Sequence, residues 1–130
     1  MNHPVRLLAV DDDVASAELI VRVAERCGFE AFATSDPRGV VNLVAALAPE
    51  VMAVDISMPH VDALDLFRLL AQQGYRGRIV IVSGQDEQTL RTVQQSALAA
   101  GLDCPAVHQK PLDMGRLRQT LSAAAPAVAS

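Results

Sequence analysis

Short apolar runs alternate with helix-like segments along the chain. Each run is four to six residues long, whereas the segments between them repeat apolar residues three and four positions apart, as one face of an α-helix does. The runs predict five strands, at 5–10, 30–33, 51–54, 78–82 and 105–109. The segments between and after them predict five helices, at 14–27, 37–48, 62–72, 86–99 and 112–124.

Turn and capping residues set several helix ends. Gly28 fits a C-terminal cap of the first helix, and Asp36-Pro37 supplies an N-cap followed by a proline at the first helical position of the second. We expect the first helix to bury one apolar face, formed by Leu19, Ile20, Val23, Ala24 and Cys27. The third helix is expected to bury another, formed by Leu64, Phe67, Leu70 and Ala71.

Strand–helix alternation at this spacing favours a parallel sheet with helices on both faces. The first, third and fourth strands are almost continuously apolar, as central parallel strands are. The second strand carries Glu30 and is followed by Thr34, which suits an edge. The predicted fold class is therefore α/β: a doubly wound, flavodoxin-like, five-stranded parallel sheet of order 2-1-3-4-5. Its topological switch point lies between strands one and three.

Length and composition fit one domain that does not bind nucleic acid directly. The chain has 130 residues, a net charge of −4 and no run rich in Lys and Arg. No apolar stretch is long enough to span a bilayer, and the first residues lead into a strand, so we expect a cytoplasmic location without membrane contact. Cys27 and Cys104 show no CxxC spacing and are expected to be reduced, packed thiols.

Polar residues stand where four apolar runs end. The first run is followed by Asp11-Asp12-Asp13, the third by Asp55, the fourth by Ser83, and the last by Lys110-Pro111. Because the carboxyl ends of parallel strands meet at one sheet edge, we expect these groups to lie together. Each residue alone is an ordinary turn or cap residue, and Asp13 is expected to cap the first helix. Their coincidence at successive strand ends favours a functional site.

The chemistry of this set suits a divalent metal and a phosphoryl group. Clustered carboxylates repel one another unless a cation lies among them, and an oxygen-only ligand set favours Mg²⁺ or Mn²⁺ over zinc. Lys110 brings a compact positive charge, and the hydroxyl of Ser83 can donate to a phosphoryl oxygen. Asp55, the central acid, can act as a nucleophile towards phosphorus.

The residues, taken together, resemble the receiver domains of two-component response regulators. The resemblance spans about residues 5–122. It rests on Val10-Asp11-Asp12-Asp13, on Asp55-Ile56-Ser57-Met58-Pro59 with Asp62 beyond, on Ser83-Gly84 and on Lys110-Pro111.

The resemblance implies a role for each matched residue. Asp55 would be the phosphoacceptor, receiving its phosphoryl group from a phosphohistidine of a sensor histidine kinase or of a His phosphotransfer protein. Asp12, Asp55 and the backbone carbonyl of Ser57 would bind Mg²⁺ directly, and Asp11 would hold it through water. Ser83 would be the switch hydroxyl and Lys110 the phosphate-pairing lysine. The protein would be a signalling phosphoacceptor with slow autodephosphorylation, not an enzyme, and would switch its helix 4/strand 5/helix 5 surface, where a partner or a second copy could dock as a homodimer.

Three departures from the family pattern stand out. Ala63 replaces the usual glycine after Asp62, and Val107 replaces the aromatic residue that usually precedes the lysine by three positions. The segment 101–106 is longer than the usual turn into strand five. That segment is similar to receivers fused to cyclic-di-GMP phosphodiesterase domains of the EAL type, which would imply such an output domain beyond Ser130.

The C-terminal residues 123–130 are rich in Ala and resemble an interdomain linker after a receiver domain at 1–122. Two enzyme or cofactor classes fit poorly. A haloacid-dehalogenase-like phosphohydrolase needs an acid two residues after its nucleophile, where this chain has Ser57. A flavodoxin-type FMN site would place its phosphate against the three Asp. A degenerate receiver that only binds proteins remains the alternative function, although no acid and no lysine of the set is lost.

Overall fold

The computed structural model describes residues 4–58 and 62–124, and within them the chain forms one five-stranded sheet. All neighbouring strands pair in parallel, in the order β2-β1-β3-β4-β5. The predicted topology is therefore confirmed, with the polar second strand at an edge. The strands are β1 Arg6–Val10, β2 Glu30–Thr34, β3 Val51–Asp55, β4 Arg78–Ser83 and β5 Asp103–Gln109.

Five α-helices connect or follow the strands, and aspartates cap five of the six helical segments. The helical segments are α1 Val14–Arg26, a 3₁₀ turn Pro37–Gly39, α2 Val40–Leu47, α3 Ala63–Gln72, α4 Glu87–Ala99 and α5 Met114–Ala124. The side chain of the aspartate before each capped segment accepts hydrogen bonds from backbone N–H groups of the first turn, and these residues are Asp13, Asp36, Asp62, Asp86 and Asp113. Gly28 follows the last turn of α1 in the left-handed region, at φ 92°, as expected for a glycine that ends a helix.

The sheet separates two apolar cores, because side chains alternate between its faces. Leu8, Met52 and Ile81 point to the face covered by α2, α3 and α4. Leu7, Ala53 and Val80 point to the face covered by α1 and α5. The strands β1, β3 and β4 are thus buried on both sides, which leaves polar side chains room mainly at the strand ends.

Two helix predictions were wrong in detail. Leu64 was expected to face inward but is 58% exposed, whereas Leu66 is buried beside Phe67 and Leu70. Ala63 and Leu66 lie four residues before Phe67 and Leu70 and share their face, so the buried stripe is shifted towards these positions and Leu64 lies on its exposed side. The predicted second helix from Pro37 begins instead as a 3₁₀ turn, a common form for a first turn, and becomes α-helical at Val40.

Strand β5 begins two residues earlier than predicted and contains a bulge. Arg78 pairs with Asp103 but Val80 pairs with Ala106, so β5 carries one extra residue between these pairs. Pro105 lies in this interval and has no N–H to donate, which fits a bulge in an edge strand. The long segment at 101–106 is therefore partly strand.

No helix in the two described ranges is long and apolar enough to cross a membrane. Pro59, one of the residues on which the family resemblance rests, and the end of the 123–130 tail from residue 125 lie outside the described ranges.

Candidate phosphoacceptor and metal site

The ends of the strands bring most of the predicted site residues to one edge of the sheet. Asp55 is the last residue of β3 and pairs with Val82 of β4, so Ser83 is one residue further along the adjacent strand. The backbone N–H of Lys110 donates to the Ser83 carbonyl at 2.7 Å, and that of Asp11 donates to the Thr34 carbonyl at 3.0 Å. Backbone hydrogen bonds between the strands thus fix the positions of these residues independently of their side-chain contacts.

Three carboxylates form a tight cluster at this edge. Asp11, Asp12 and Asp55 each offer an oxygen within 4.8 Å of the others, and they are the set of this kind found in the described residues. Asp11 and Asp55 are buried, at 1% and 2% exposure, whereas Asp12 is exposed. The cluster therefore consists of two buried carboxylates and one carboxylate, that of Asp12, which is open to solvent.

Lys110 supplies the positive charge of the site. Its Nζ lies 3.0 Å from Asp11 Oδ2 and 3.1 Å from Asp55 Oδ2, and the side chain is only 16% exposed. Burial lowers the pKa of Lys110, but hydrogen bonds and charge from the two carboxylates outweigh burial and raise it above its usual value. Lys110 therefore stays protonated and positively charged, and it does not transfer its proton to another group.

The two buried acids are held differently. Burial is the main influence on Asp11 and raises its pKa, although the Asp13 N–H and Lys110 oppose the shift. Burial also raises the pKa of Asp55, but hydrogen bonds from Ser57 and Lys110 outweigh it and hold that pKa below the usual value. Asp55 is thus kept ionised, as a nucleophilic carboxylate must be.

Ser57 contacts the carboxylate of Asp55 with its side chain as well as its backbone. Its N–H donates to Asp55 Oδ1 at 2.8 Å, and its Oγ donates to the same oxygen at 2.6 Å. Sequence reasoning assigned Ser57 only through its carbonyl and missed this hydroxyl contact. An aspartate that accepts from the N–H two residues later is a common local hydrogen-bonding pattern, and a serine at that position is the signal that could have indicated the hydroxyl contact.

Ser83 is fully buried and links the site to the loop before α4. Its Oγ accepts a hydrogen bond from the N–H of Gln85 at 3.1 Å. The carbonyl of Gln85 in turn accepts from Nε2 of Gln109 on β5 at 3.2 Å. Neither glutamine was singled out from the sequence, because their contribution depends on how β4 and β5 pair.

Asp13 lies next to the cluster in sequence but acts as a helix cap. Its Oδ1 accepts from the N–H groups of Ala15 and Ser16, and its Oδ2 accepts from the Ser16 hydroxyl. The prediction that Asp13 caps the first helix is confirmed. Of the acidic triplet, Asp11 and Asp12 are therefore the members available to the site.

The acids present fit a divalent cation. Three carboxylates and one ammonium leave an excess of two negative charges, which one Mg²⁺ would neutralise. Oδ2 of Asp11 is buried and accepts no hydrogen bond, although Lys110 Nζ lies 3.0 Å away. A buried oxygen without a hydrogen-bond donor is costly, and a cation or its bound water would satisfy it.

A doubly wound parallel sheet with an acidic site at its switch point defines a class of α/β signalling and ligand-binding proteins. The comparisons identify the family within that class. The model of the response regulator receiver domain matches residues 7–122, so the chain belongs to the receiver domain family.

Relatives and solved structures agree with this assignment. Response regulator MprA of Mycolicibacterium vanbaalenii is 32% identical over 103 residues, which cover 79% of this chain and 42% of that protein. Protein-glutamate methylesterase/protein-glutamine glutaminase 5 of Myxococcus xanthus is 33% identical over 100 residues, covering 75% and 28%. The crystal structure of a response regulator from Colwellia psychrerythraea superposes with a TM-score of 0.79 at 25% identity, covering 92% of this chain and 94% of that one. This chain spans less than half the length of these two curated relatives.

Proposed function

We propose that Asp55 accepts a phosphoryl group from a phosphohistidine of a sensor kinase or of a His phosphotransfer protein, in a Mg²⁺-dependent reaction. The observation that carries the proposal is the position of Asp55. It is the last residue of a central strand, ionised, 2% exposed and 3.1 Å from the Lys110 ammonium. In the transfer, a carboxylate oxygen of Asp55 bonds to phosphorus, the phosphorus–nitrogen bond breaks, and the imidazole leaves.

The other residues of the site would hold the metal and the phosphoryl group. Asp12, Asp55 and the Ser57 carbonyl are proposed as direct ligands of Mg²⁺, with Asp11 acting through a bound water. When bound, the cation neutralises charge that builds up on the phosphoryl oxygens. Lys110 would pair with those oxygens from the opposite side, and the Ser83 hydroxyl would donate to one of them. The charge excess and the unsatisfied oxygen of Asp11 support this arrangement.

In this role the chain is a signalling component of the cytoplasm and is itself modified, so we propose a phosphoacceptor and not an enzyme. The surface of α4, β5 and α5 would carry the signal to a partner or to a second copy. A receiver domain over 1–122, followed by a linker, would deliver it to an output domain. The two curated relatives named above carry different names, and neither name mentions an EAL domain, so an output of the EAL type remains a prediction for this chain.

The test is to incubate the protein with acetyl phosphate or phosphoramidate and Mg²⁺ and to measure the intact mass. We expect one phosphoryl adduct in the wild type and none in Asp55→Asn or in the presence of EDTA. Asp62→Asn is a matched control, because Asp62 caps α3 outside the cluster and should leave the adduct intact. An adduct that persists in Asp55→Asn, or that forms equally with EDTA, would contradict the proposal. No adduct in the wild type would favour a protein-binding module instead.

A further inference from the structure

One oxygen of the phosphoacceptor is already fully occupied. Oδ1 of Asp55 accepts two hydrogen bonds from Ser57, at 2.8 Å from the backbone N–H and at 2.6 Å from the hydroxyl. A carboxylate oxygen has two lone pairs in its plane, so two donors leave none free. Oδ2 accepts from Lys110 Nζ at 3.1 Å. Any new bond at Oδ1 therefore requires one Ser57 donor to leave.

The two Ser57 donors differ in how easily they leave. The N–H is fixed by the turn that follows β3, and displacing it would move the backbone. The hydroxyl needs only a rotation about χ1, and Ser57 is exposed, so its Oγ can exchange Asp55 for water. Of all the hydrogen bonds at Asp55, this one is both short and the least costly to rearrange.

We propose that Mg²⁺ binds Oδ1 of Asp55 and that the Ser57 hydroxyl is a latch on this oxygen: it occupies Oδ1 in the metal-free state and must rotate away before the ion binds there. The inference rests on the proposed function and adds a positioning residue to it. Ser57 acts through Asp55, since its hydroxyl neither reacts nor serves as a ligand. Because the hydrogen bond from the Ser57 hydroxyl must break before the metal binds, it lowers the Mg²⁺ affinity by the free energy of one hydrogen bond to a charged acceptor.

A purely supportive role for the hydroxyl predicts the opposite result. If the hydroxyl only held Asp55 in the orientation required for the metal, its removal would weaken Mg²⁺ binding. If it competes with the metal, its removal strengthens binding. The sign of the change in affinity therefore separates the two roles without any measurement of phosphorylation.

The first measurement is Mg²⁺ affinity of the unphosphorylated protein by isothermal titration calorimetry. Ser57→Ala should bind about tenfold more tightly than the wild type, the effect expected for one hydrogen bond to a carboxylate. Ser57→Thr keeps a hydroxyl and should restore affinity to near the wild-type value. Ser16→Ala is the matched control: it removes a serine hydroxyl that donates to Asp13 Oδ2 at 3.0 Å, outside the metal set. Its Mg²⁺ affinity should not change.

The second measurement is urea unfolding of the same proteins in EDTA and in saturating Mg²⁺. Ser57→Ala should be less stable than the wild type in EDTA, because it lacks the latch, and equally stable in Mg²⁺, where the latch is open in both. By linkage, the fold-loss in the folding equilibrium constant in EDTA should equal the fold-gain in affinity. Unchanged or weaker Mg²⁺ binding by Ser57→Ala would overturn the latch and leave the proposed function intact. No Mg²⁺ binding by the wild type would overturn both.

Discussion

At the scale of single residues, the site depends on one cation beside a cluster of three acids. Lys110 contacts both buried carboxylates, and nothing else with a positive charge is paired with them in the described residues. Its long side chain comes from the far end of the sheet, so the sheet must be complete before the charges balance. Asp55 stays ionised because of Lys110 and Ser57, whereas Asp11, with a raised pKa, has most to gain from a cation.

Replacing Lys110 separates the roles of phosphoryl pairing and metal binding. In Lys110→Ala, phosphorylation by acetyl phosphate should slow by about 100-fold, because charge on the phosphoryl oxygens loses one fixed partner. Mg²⁺ affinity should not fall, since the lysine is not a ligand and its charge opposes the metal. Intact-mass time courses and calorimetric titration measure the two effects.

The control for this variant is Arg91→Ala, which removes an exposed cation paired with Glu87 on α4. That change should leave both the rate and the affinity near their wild-type values, as surface ion pairs contribute little. Loss of Mg²⁺ binding in Lys110→Ala with normal phosphorylation would mean that the roles of the lysine and the acids are assigned wrongly.

At the scale of elements, a buried histidine joins β5 to α5. His108 is 6% exposed, and its Nε2 lies 2.8 Å from the Thr120 hydroxyl on α5. Burial lowers the pKa of His108 and the charge of Arg116 lowers it further, while Asp113 acts in the opposite direction. The neutral imidazole is thus the form that suits the interface between the sheet and α5.

This histidine should make stability depend on pH. Because the pKa of His108 is lower in the folded than in the unfolded state, the unfolded state binds more protons between the two values. The contribution of His108 to the free energy of unfolding is therefore complete above about pH 6.5, the unperturbed histidine pKa, and is lost as pH drops towards the pKa of the folded state. Urea unfolding between pH 8 and 5 should show this slope, at most about 1.4 kcal/mol per pH unit for one group.

The comparison that isolates His108 is His108→Gln, which keeps a polar side chain without a proton to gain. Its unfolding free energy should vary less with pH over the same window, although it is lower overall. A slope equal to that of the wild type would assign the pH dependence to other groups.

The elements themselves were largely predictable, and the exceptions have physical causes. Strand order follows from apolar runs and from the polar second strand, because burial on both faces leaves a clear pattern. Leu64 and Leu66 have the same hydrophobicity, so only packing against the sheet decides which is buried. The bulge at Pro105 depends on pairing with β4, a long-range constraint that periodicity does not report.

The candidate site shows the same division. Its charged residues could be expected from the strand ends, because the topology of a parallel sheet brings those ends together. The hydroxyl of Ser57 on Asp55 and the link from Ser83 through Gln85 to Gln109 could not, since they depend on side-chain directions and on the register of β4 and β5. Sequence patterns thus indicated the chemistry of the site better than its connections.

At the scale of the whole molecule, those connections lead from the site to one surface. The Ser83 hydroxyl accepts from the Gln85 N–H, and Gln85 precedes Asp86, the cap of α4. Gln94 on α4 donates to the Cys104 carbonyl of β5 at 2.8 Å. A change at the Ser83 hydroxyl therefore reaches the start of α4 through the Gln85 N–H, and β5 through the hydrogen bond between the Gln85 carbonyl and Gln109.

Phosphorylation should accordingly move the 83–87 loop and α4 and leave Val107 nearly still. If the Ser83 hydroxyl turns to donate to a phosphoryl group, its geometry as acceptor for the Gln85 N–H changes and the loop must rearrange. Val107 is β-branched and packed against the core beneath α4, so it has little freedom to follow as a larger ring could. Because such a change shifts a population, a minor active-like form should exist without phosphate.

Amide NMR spectra with and without beryllofluoride, which mimics the phosphoryl group, measure this change in the presence of Mg²⁺. We expect the largest shifts outside the metal site in residues 83–99, with small ones at Val107. The Asp55→Asn protein is the control and should show none, because beryllofluoride requires the carboxylate. Shifts confined to α1 and α2, with 83–99 unmoved, would contradict the proposed route. Shifts limited to the metal site would mean that phosphorylation of Asp55 does not change this surface. That result would favour a scaffold that binds its partners independently of phosphorylation.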